Sequence, residues 1–159
     1  MLLDARYEDG NEMDEEQLID EILILFTAGH ETTSNALTFA AQLLALNPES
    51  QKLIFNEVEQ AKNETHSLME FIQACSYTKK VIEETMRLYP PAYFIDRINK
   101  EDDEFEGLEI PKGSNLLFSF YEIHKHKSHW EDPEKFDPER FSDSDPYLHT
   151  PFYAPFGAG

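Results

Sequence analysis

The sequence predicts a mainly α fold with a small β-sheet, an α+β arrangement led by one long central helix, and three observations lead there. Apolar residues recur at helical spacing from Asp14 to Leu46 and, after a break, as far as Tyr89; β-like runs occur only between Tyr93 and Phe120; and the text beyond Tyr121 has no period. A chain of 159 residues, 40% hydrophobic and 13% aromatic, holds enough apolar material for one packed domain over residues 1–159. Neither a repeat nor a low-complexity stretch divides it.

The elements follow in order. Asp14 and, three residues on, Gln17 form a variant capping box that opens a helix running to Leu46. About 33 residues of helix extend roughly 50 Å. From Ile22 to Phe26 and from Ala36 to Leu46 this helix is apolar nearly all round, so it calls for neighbours on several sides. Asn47-Pro48 stops it and starts a second helix, with Pro48 at the first position and Leu53, Ile54, Val58 and Ala61 as the inner stripe. A polar link covers Asn63 to Ser67. Ser76 can cap a third helix from Tyr77 to Tyr89, with Val81, Ile82, Met86, Leu88 and Tyr89 facing inward until Pro90-Pro91 ends it. Short β pieces are expected around Tyr93–Ile98, Phe105–Ile110 and Asn115–Phe120, punctuated by Gly107 and Pro111-Lys112-Gly113. The stretch from Met1 to Ala5 reads as the end of a preceding helix.

Charge excludes whole classes of partner. Against 32 acidic residues stand 13 basic ones, a net −19, so nothing would release the counterions of a phosphate backbone and no nucleic-acid partner is expected. The longest purely apolar run, Ile22 to Phe26, is far short of the ~20 residues that span a bilayer, so no membrane segment is expected in this chain. The single Cys75 has no internal disulfide partner, which suits a reducing compartment and a cytoplasmic location.

The most informative stretch is Ala28-Gly29-His30-Glu31-Thr32-Thr33, which puts an acid and two alcohols where a core helix should be oily. Burying such groups unpaired costs roughly 1 to 3 kcal/mol each, so a cavity, water or a ligand is the reason to keep them; ordinary helix polarity is the plain alternative. His30-Glu31 begins like the zinc-protease helix, but the second histidine is missing and Ser34 is a poor ligand. Ala28 and Thr32 share a helix face, Gly29 removes bulk beside them, and a Thr hydroxyl can bond the carbonyl four residues back. An acid next to an alcohol can relay protons. Elsewhere, Glu84 and Arg87 are three apart and, taken alone, look like a solvated surface pair. Arg140 sits among aromatics and prolines. His124, His126 and His129 cluster, yet Lys125 and Lys127 would repel a dication, so no metal site is expected there. Cys75 has no His or Asp at a nucleophile spacing and reads as a plain thiol.

Taken in order, Ala28-Gly29-His30-Glu31-Thr32-Thr33, Glu84-Thr85-Met86-Arg87, Phe136-Asp137-Pro138-Glu139-Arg140-Phe141 and Pro155-Phe156-Gly157-Ala158-Gly159 closely resemble the cytochrome P-450 superfamily. The resemblance extends over Ile110-Pro111-Lys112-Gly113 and His124, Trp130 and Asp132-Pro133, and so over essentially the whole chain. It implies part of a haem-thiolate monooxygenase, an oxidoreductase that inserts one atom of dioxygen into an apolar organic substrate. The helix from Asp14 to Leu46 is similar to the family's helix across the distal haem face, with Ala28 and Gly29 making room for oxygen and Glu31 and Thr32 as catalytic proton relay. Glu84 and Arg87, with Arg140 as third member, resemble the family's buried ion-pair network, which reverses the surface reading of that pair. Arg97 matches a position that meets a haem propionate, and Phe156 and Gly157 resemble the start of the haem-ligand loop. Thr27, Ala92, Tyr93 and Phe94 resemble substrate-contacting stretches. An electron donor is implied, either a ferredoxin, a flavoprotein reductase or a fused reductase.

One departure matters. The family's loop goes on through an Arg to the cysteine whose thiolate binds iron. This chain ends before it, and Cys75 lies elsewhere, so the chain alone is expected to be an inactive internal fragment. Two other readings stay open: a member of the same superfamily that rearranges peroxides or dehydrates oximes, against which Glu31-Thr32 counts, and a noncatalytic acidic helical binding module.

Overall fold

A computed structural model describes residues 5–142 and 150–157; the helix end expected before residue 5, and Ala158 and Gly159, lie outside the described residues. The chain divides into two compact units, Met1–Asn35 and Ala36–Gly159, and helix α1 (Glu15–Leu46, 32 residues) is continuous across the division.

In the first unit, Arg6 pairs with Glu12 both as a β-bridge and as an ion pair, around a turn at Tyr7–Asn11. Asp14 caps α1 by accepting from the Gln17 N–H at 2.8 Å. The Gln17 side chain does not close the box back onto residue 14; its oxygen accepts instead from the Tyr7 hydroxyl. The all-round burial expected of α1 is not met among the described residues. Leu43 is its one buried residue, and Ile22 to Phe26 are exposed, Phe26 at 70%. The helix forms regardless, because its backbone bonds close internally while its apolar surface waits for partners that these residues do not supply.

The second unit begins with the end of α1, then α2 (Pro48–Glu64), α3 (Leu68–Ala74) and α4 (Ser76–Leu88). Of the expected α2 stripe, Ala61 is buried and Ile54 and Val58 half-buried, but Leu53 stays half exposed. Helix α3 is an addition to the sequence reading. Ser67 caps it, accepting from the Glu70 N–H at 3.2 Å, while the Glu70 carboxylate accepts from the His66 N–H at 2.8 Å.

Helix α4 corrects two expectations. It starts at Ser76 rather than after it, and the carboxylate that caps it comes from α2: Glu57 accepts from the Tyr77 N–H at 2.5 Å, the Thr78 N–H at 2.8 Å, the Thr78 hydroxyl at 2.7 Å and the Ser76 hydroxyl at 3.3 Å. An anion at a helix N-terminus also meets the positive end of the helix dipole. Ile82, expected inside, is 46% exposed, because the packed face of α4 runs through Val81, Glu84, Thr85 and Leu88, which leaves residue 82 to one side. At the end of α4, Tyr89 stacks on Phe39 of α1 with ring centroids 4.4 Å apart.

The expected small sheet is two separate antiparallel pairs. Strand β1 (Phe94–Ile98) pairs with β4 (Asn115–Ser119), Asp96 opposite Leu117, and β2 (Asp103–Phe105) pairs with β3 (Leu108–Ile110). What reads in sequence as one strand over residues 105–110 is therefore a hairpin. Glu106 and Gly107 turn it with φ of 50° and 83°, the double left-handed conformation of a type I′ turn, which glycine adopts without strain. A short helix α5 (Phe120–Ile123) and a 3-10 turn (Pro138–Phe141) follow, with Trp130 buried between them in sequence.

Candidate functional site

The second unit is organised around a buried charge. Arg87 and Glu84, one turn apart on α4, have no exposed surface, and Arg87 Nε and Nη2 donate to the two Glu84 oxygens at 2.7 and 2.9 Å. The other three Arg87 N–H groups go to backbone carbonyls: Nη1 to His124 and Pro133, both at 2.8 Å, and Nη2 to Lys135 at 3.3 Å. The guanidinium also lies 5.0 Å from the centre of the Trp130 ring. Glu84 accepts in addition from the Asp137 N–H at 2.9 Å, and Arg140 Nε stands 3.6 Å from Glu84 Oε1 while its Nη2 donates to the Asp132 carbonyl. Burial pushes the Glu84 carboxyl up, and the Arg87 fork, the Asp137 N–H and Arg140 hold it back. The structure thus brings Glu84, Arg87 and Arg140 together and uses them to pin the irregular segment 124–140 against α4.

In the first unit, the Thr32 hydroxyl donates to the Ala28 carbonyl at 2.7 Å. Its hydrogen is thereby committed, and its lone pairs are left as acceptors. Thr27, Ala28, Gly29, Glu31 and Thr32 are all exposed, and a Cβ placed on Gly29 would meet nothing within 4 Å. His30 stacks with Phe26, centroids 5.9 Å apart. The hexad is therefore an open polar window in an apolar helix.

Back in the second unit, a cleft of about 280 Å³ opens between the β1–β4 pair and α5, lined by Ile95, Arg97, Phe118, Phe120, Ile123, Pro151 and Ala154. Arg97 is its one charged wall. Arg97 Nη1 donates to the Asp96 carbonyl at 2.9 Å, and the guanidinium makes no ion pair among the described residues. Phe156 is 88% exposed, and Gly157 adopts φ 90° after a turn in which its N–H reaches the Ala154 carbonyl at 3.1 Å. Ala92 and Tyr93, just before β1, and Phe94, its first residue, are exposed, the two rings edge to face at 4.7 Å.

His126 and His129 lie ring to ring, centroids 5.3 Å apart, while His124 stands in the core. His124 is fully buried with Nε2 accepting from the Ala154 N–H at 2.9 Å, His129 stacks on Phe152, and His126 Nδ1 accepts from the Ser128 N–H. Burial and then the Arg87 charge push the His124 pKa down to about 4, so its ring is neutral. Cys75 is buried, and burial followed by the nearby Glu57 charge raises its thiol pKa. Tyr153 escaped the sequence reading. Its hydroxyl meets both the carbonyl and the carboxylate of Glu83, and burial together with that contact raises its pKa. No local pattern marks it; only its aromatic neighbours Phe152 and Phe156 hint at packing.

Helices dominate a small β region in this chain. The cytochrome P-450 family model matches residues 1–159. Mouse (Mus musculus) cytochrome P-450 3A13 is 39% identical over 145 residues, 90% of this chain and 29% of that protein. Thromboxane-A synthase of Macaca fascicularis is 39% identical over 148 residues, 91% of this chain and 28% of its own, and the probable cytochrome P-450 4s3 of Drosophila melanogaster is 35% identical over the full 159 residues, 31% of its own length. The solved structure of retinoic acid bound cyanobacterial CYP120A1 superposes with a TM-score of 0.91 at 32% identity, over 99% of this chain and 37% of that one. The chain belongs to the cytochrome P-450 family. It spans less than a third of the curated relatives it matches.

The family's cofactor is haem iron. The Arg97 cleft is compatible with its edge: the walls are apolar, and the Arg97 guanidinium, with no ion pair among the described residues, would be free to meet a carboxylate. Cys75 is buried just before α4, and burial raises its thiol pKa, which does not favour a thiolate ligand there.

Proposed function

We propose that these residues are the distal helix, the buried core and the beginning of the ligand loop of a haem-thiolate monooxygenase that inserts one oxygen atom into an apolar organic molecule. The observation that carries the reading is the Thr32 hydroxyl bonded to the Ala28 carbonyl beside an unobstructed Gly29. Bound haem would supply the activation of dioxygen. Thr32 offers its lone pairs to a proton-bearing ligand at that window, Glu31 exchanges the proton with solvent, and Ala28 and Gly29 leave the ligand room. Arg97 would hold a haem carboxylate at the cleft; Thr27 in the first unit, and separately Ala92, Tyr93 and Phe94 in the second, are the candidate substrate contacts. Electrons come from a ferredoxin, a flavoprotein reductase or a fused reductase, and a cytoplasmic location belongs to the same proposal. No described helix is long and apolar enough to cross a membrane.

In a full-length enzyme carrying these residues, Thr32→Ala should leave electron consumption running while product per electron pair falls. Undiminished coupling would refute the relay, and a variant indifferent to dioxygen would favour the rearranging alternative. The 159-residue chain by itself is inactive on this reading, for want of a thiolate. If, with ferrous haem and carbon monoxide, it gave the red-shifted Soret band of a thiolate complex, that part would be wrong.

A further inference from the structure

Among the described residues His124 is the one fully buried histidine, and the Glu84–Arg87 pair takes its backbone carbonyl rather than its ring. That carbonyl serves Arg87, whereas the ring bonds beyond the cluster, Nε2 accepting from the Ala154 N–H at 2.9 Å. Since Nε2 accepts, the neutral ring carries its proton on Nδ1. Nε2 is the nitrogen that reaches the neighbouring segment.

That nitrogen bonds the segment 150–157. Helix α5 touches this segment twice on one face: Phe120 Cζ lies 4.0 Å from the Cβ position of Gly157, and four residues on His124 holds the Ala154 N–H. The His124 N–H to Phe120 carbonyl bond at 2.8 Å keeps the two in step. Between the contact points runs the Ala154–Gly157 turn. On the other side Tyr153 ties the segment to Glu83 of α4, and its ring lies 5.3 Å from that of His124. The segment is thus clamped between α4 and α5, and His124 is fixed in turn through the Arg87 bond to its own carbonyl.

We propose that His124 is a positioning residue that, through Nε2, sets the Ala154–Gly157 turn and so the register at which the following residues reach the haem iron. The proposal rests on reading Phe156 and Gly157 as the start of the ligand loop. The low pKa of His124 is consistent with it, since the acceptor nitrogen stays free of a proton at neutral pH.

Two variants separate an acceptor from a packing ring. His124→Phe keeps the volume and loses the acceptor, and His124→Gln places an amide oxygen near the reach of Nε2. Hydrogen exchange at the Ala154 amide should be roughly tenfold faster in the Phe variant, the factor of one ordinary hydrogen bond, and return close to wild type in the Gln variant. Equal exchange in wild type and His124→Phe, or equally fast exchange in both variants, overturns the contact. In the full-length haem enzyme, the thiolate-type share of the ferrous carbon monoxide spectrum should fall in His124→Phe and recover in His124→Gln. An unchanged share overturns the positioning role. Loss of the thiolate band in the wild type would instead count against the proposed function, because the exchange experiment needs no haem.

Discussion

Arg87 and Glu84 meet edge to edge, with Nε to Oε2 at 2.7 Å and Nη2 to Oε1 at 2.9 Å, and neither side chain is exposed. An ion pair so deep survives only because nothing in it is left over. All five guanidinium N–H groups are matched, and both Glu84 oxygens face an Arg87 donor. Its function follows from its reach: one side chain on α4 fixes the carbonyls of residues 124, 133 and 135, and with them the segment that carries His124.

Arg87→Lys should therefore be damaging although charge is kept. A lysine cannot form the two-point fork, and with three donors it leaves buried carbonyls unpaired. Breaking a buried pair from one side typically costs about 3 to 5 kcal/mol. Urea unfolding followed by circular dichroism measures it, and a loss below about 1 kcal/mol would mean that the network is replaceable.

How such residues read from sequence depends on where their partners lie. The spacing of Glu84 and Arg87 is that of countless surface pairs, and their burial comes from carbonyls 37 to 48 residues away. Only the ordered resemblance of four motifs suggested it. Caps behave the same way. Asp14 is legible because its donor is three residues along; the Ser67 cap of α3 is equally local, yet residues 63–67 read only as a polar link and the seven-residue helix after them was missed. Glu57 was invisible, since it caps a helix starting 19 residues later. The hairpin at residues 103–110 was missed because three-residue strands are too short to show alternation.

Glu57 gives the fold an acid limit. Burial raises its carboxyl pKa, but bonds from the Thr78 hydroxyl, the Tyr77 and Thr78 N–H groups and the Ser76 hydroxyl outweigh burial and leave it lowered. A carboxylate lowered on folding adds stability that is complete above its ordinary value of 4.5 and is lost as pH falls through the folded value. Melting temperature against pH should thus drop on the acid side. Glu57→Gln should lower stability at neutral pH by about 1 to 3 kcal/mol, the range for bonds to a charged acceptor, and flatten the acid fall. An acid limb of unchanged slope in the variant would assign the loss to other carboxylates.

Gly29 separates a helix that is merely polar from one that serves a ligand. A glycine in the middle of a helix costs about 1 kcal/mol relative to alanine, and here an added methyl meets nothing within 4 Å. Gly29→Ala should therefore raise the melting temperature of the chain. If the residue makes room for a small ligand at the distal face of a haem, the same methyl should obstruct that ligand in the full-length enzyme and slow carbon monoxide association. Stability and ligand binding would then move in opposite directions. A variant that melts higher and binds carbon monoxide at the wild-type rate would leave the polar window of α1 with no role in ligand binding at Gly29. A variant that melts lower would show that the helix at Gly29 is packed against something its sequence does not reveal.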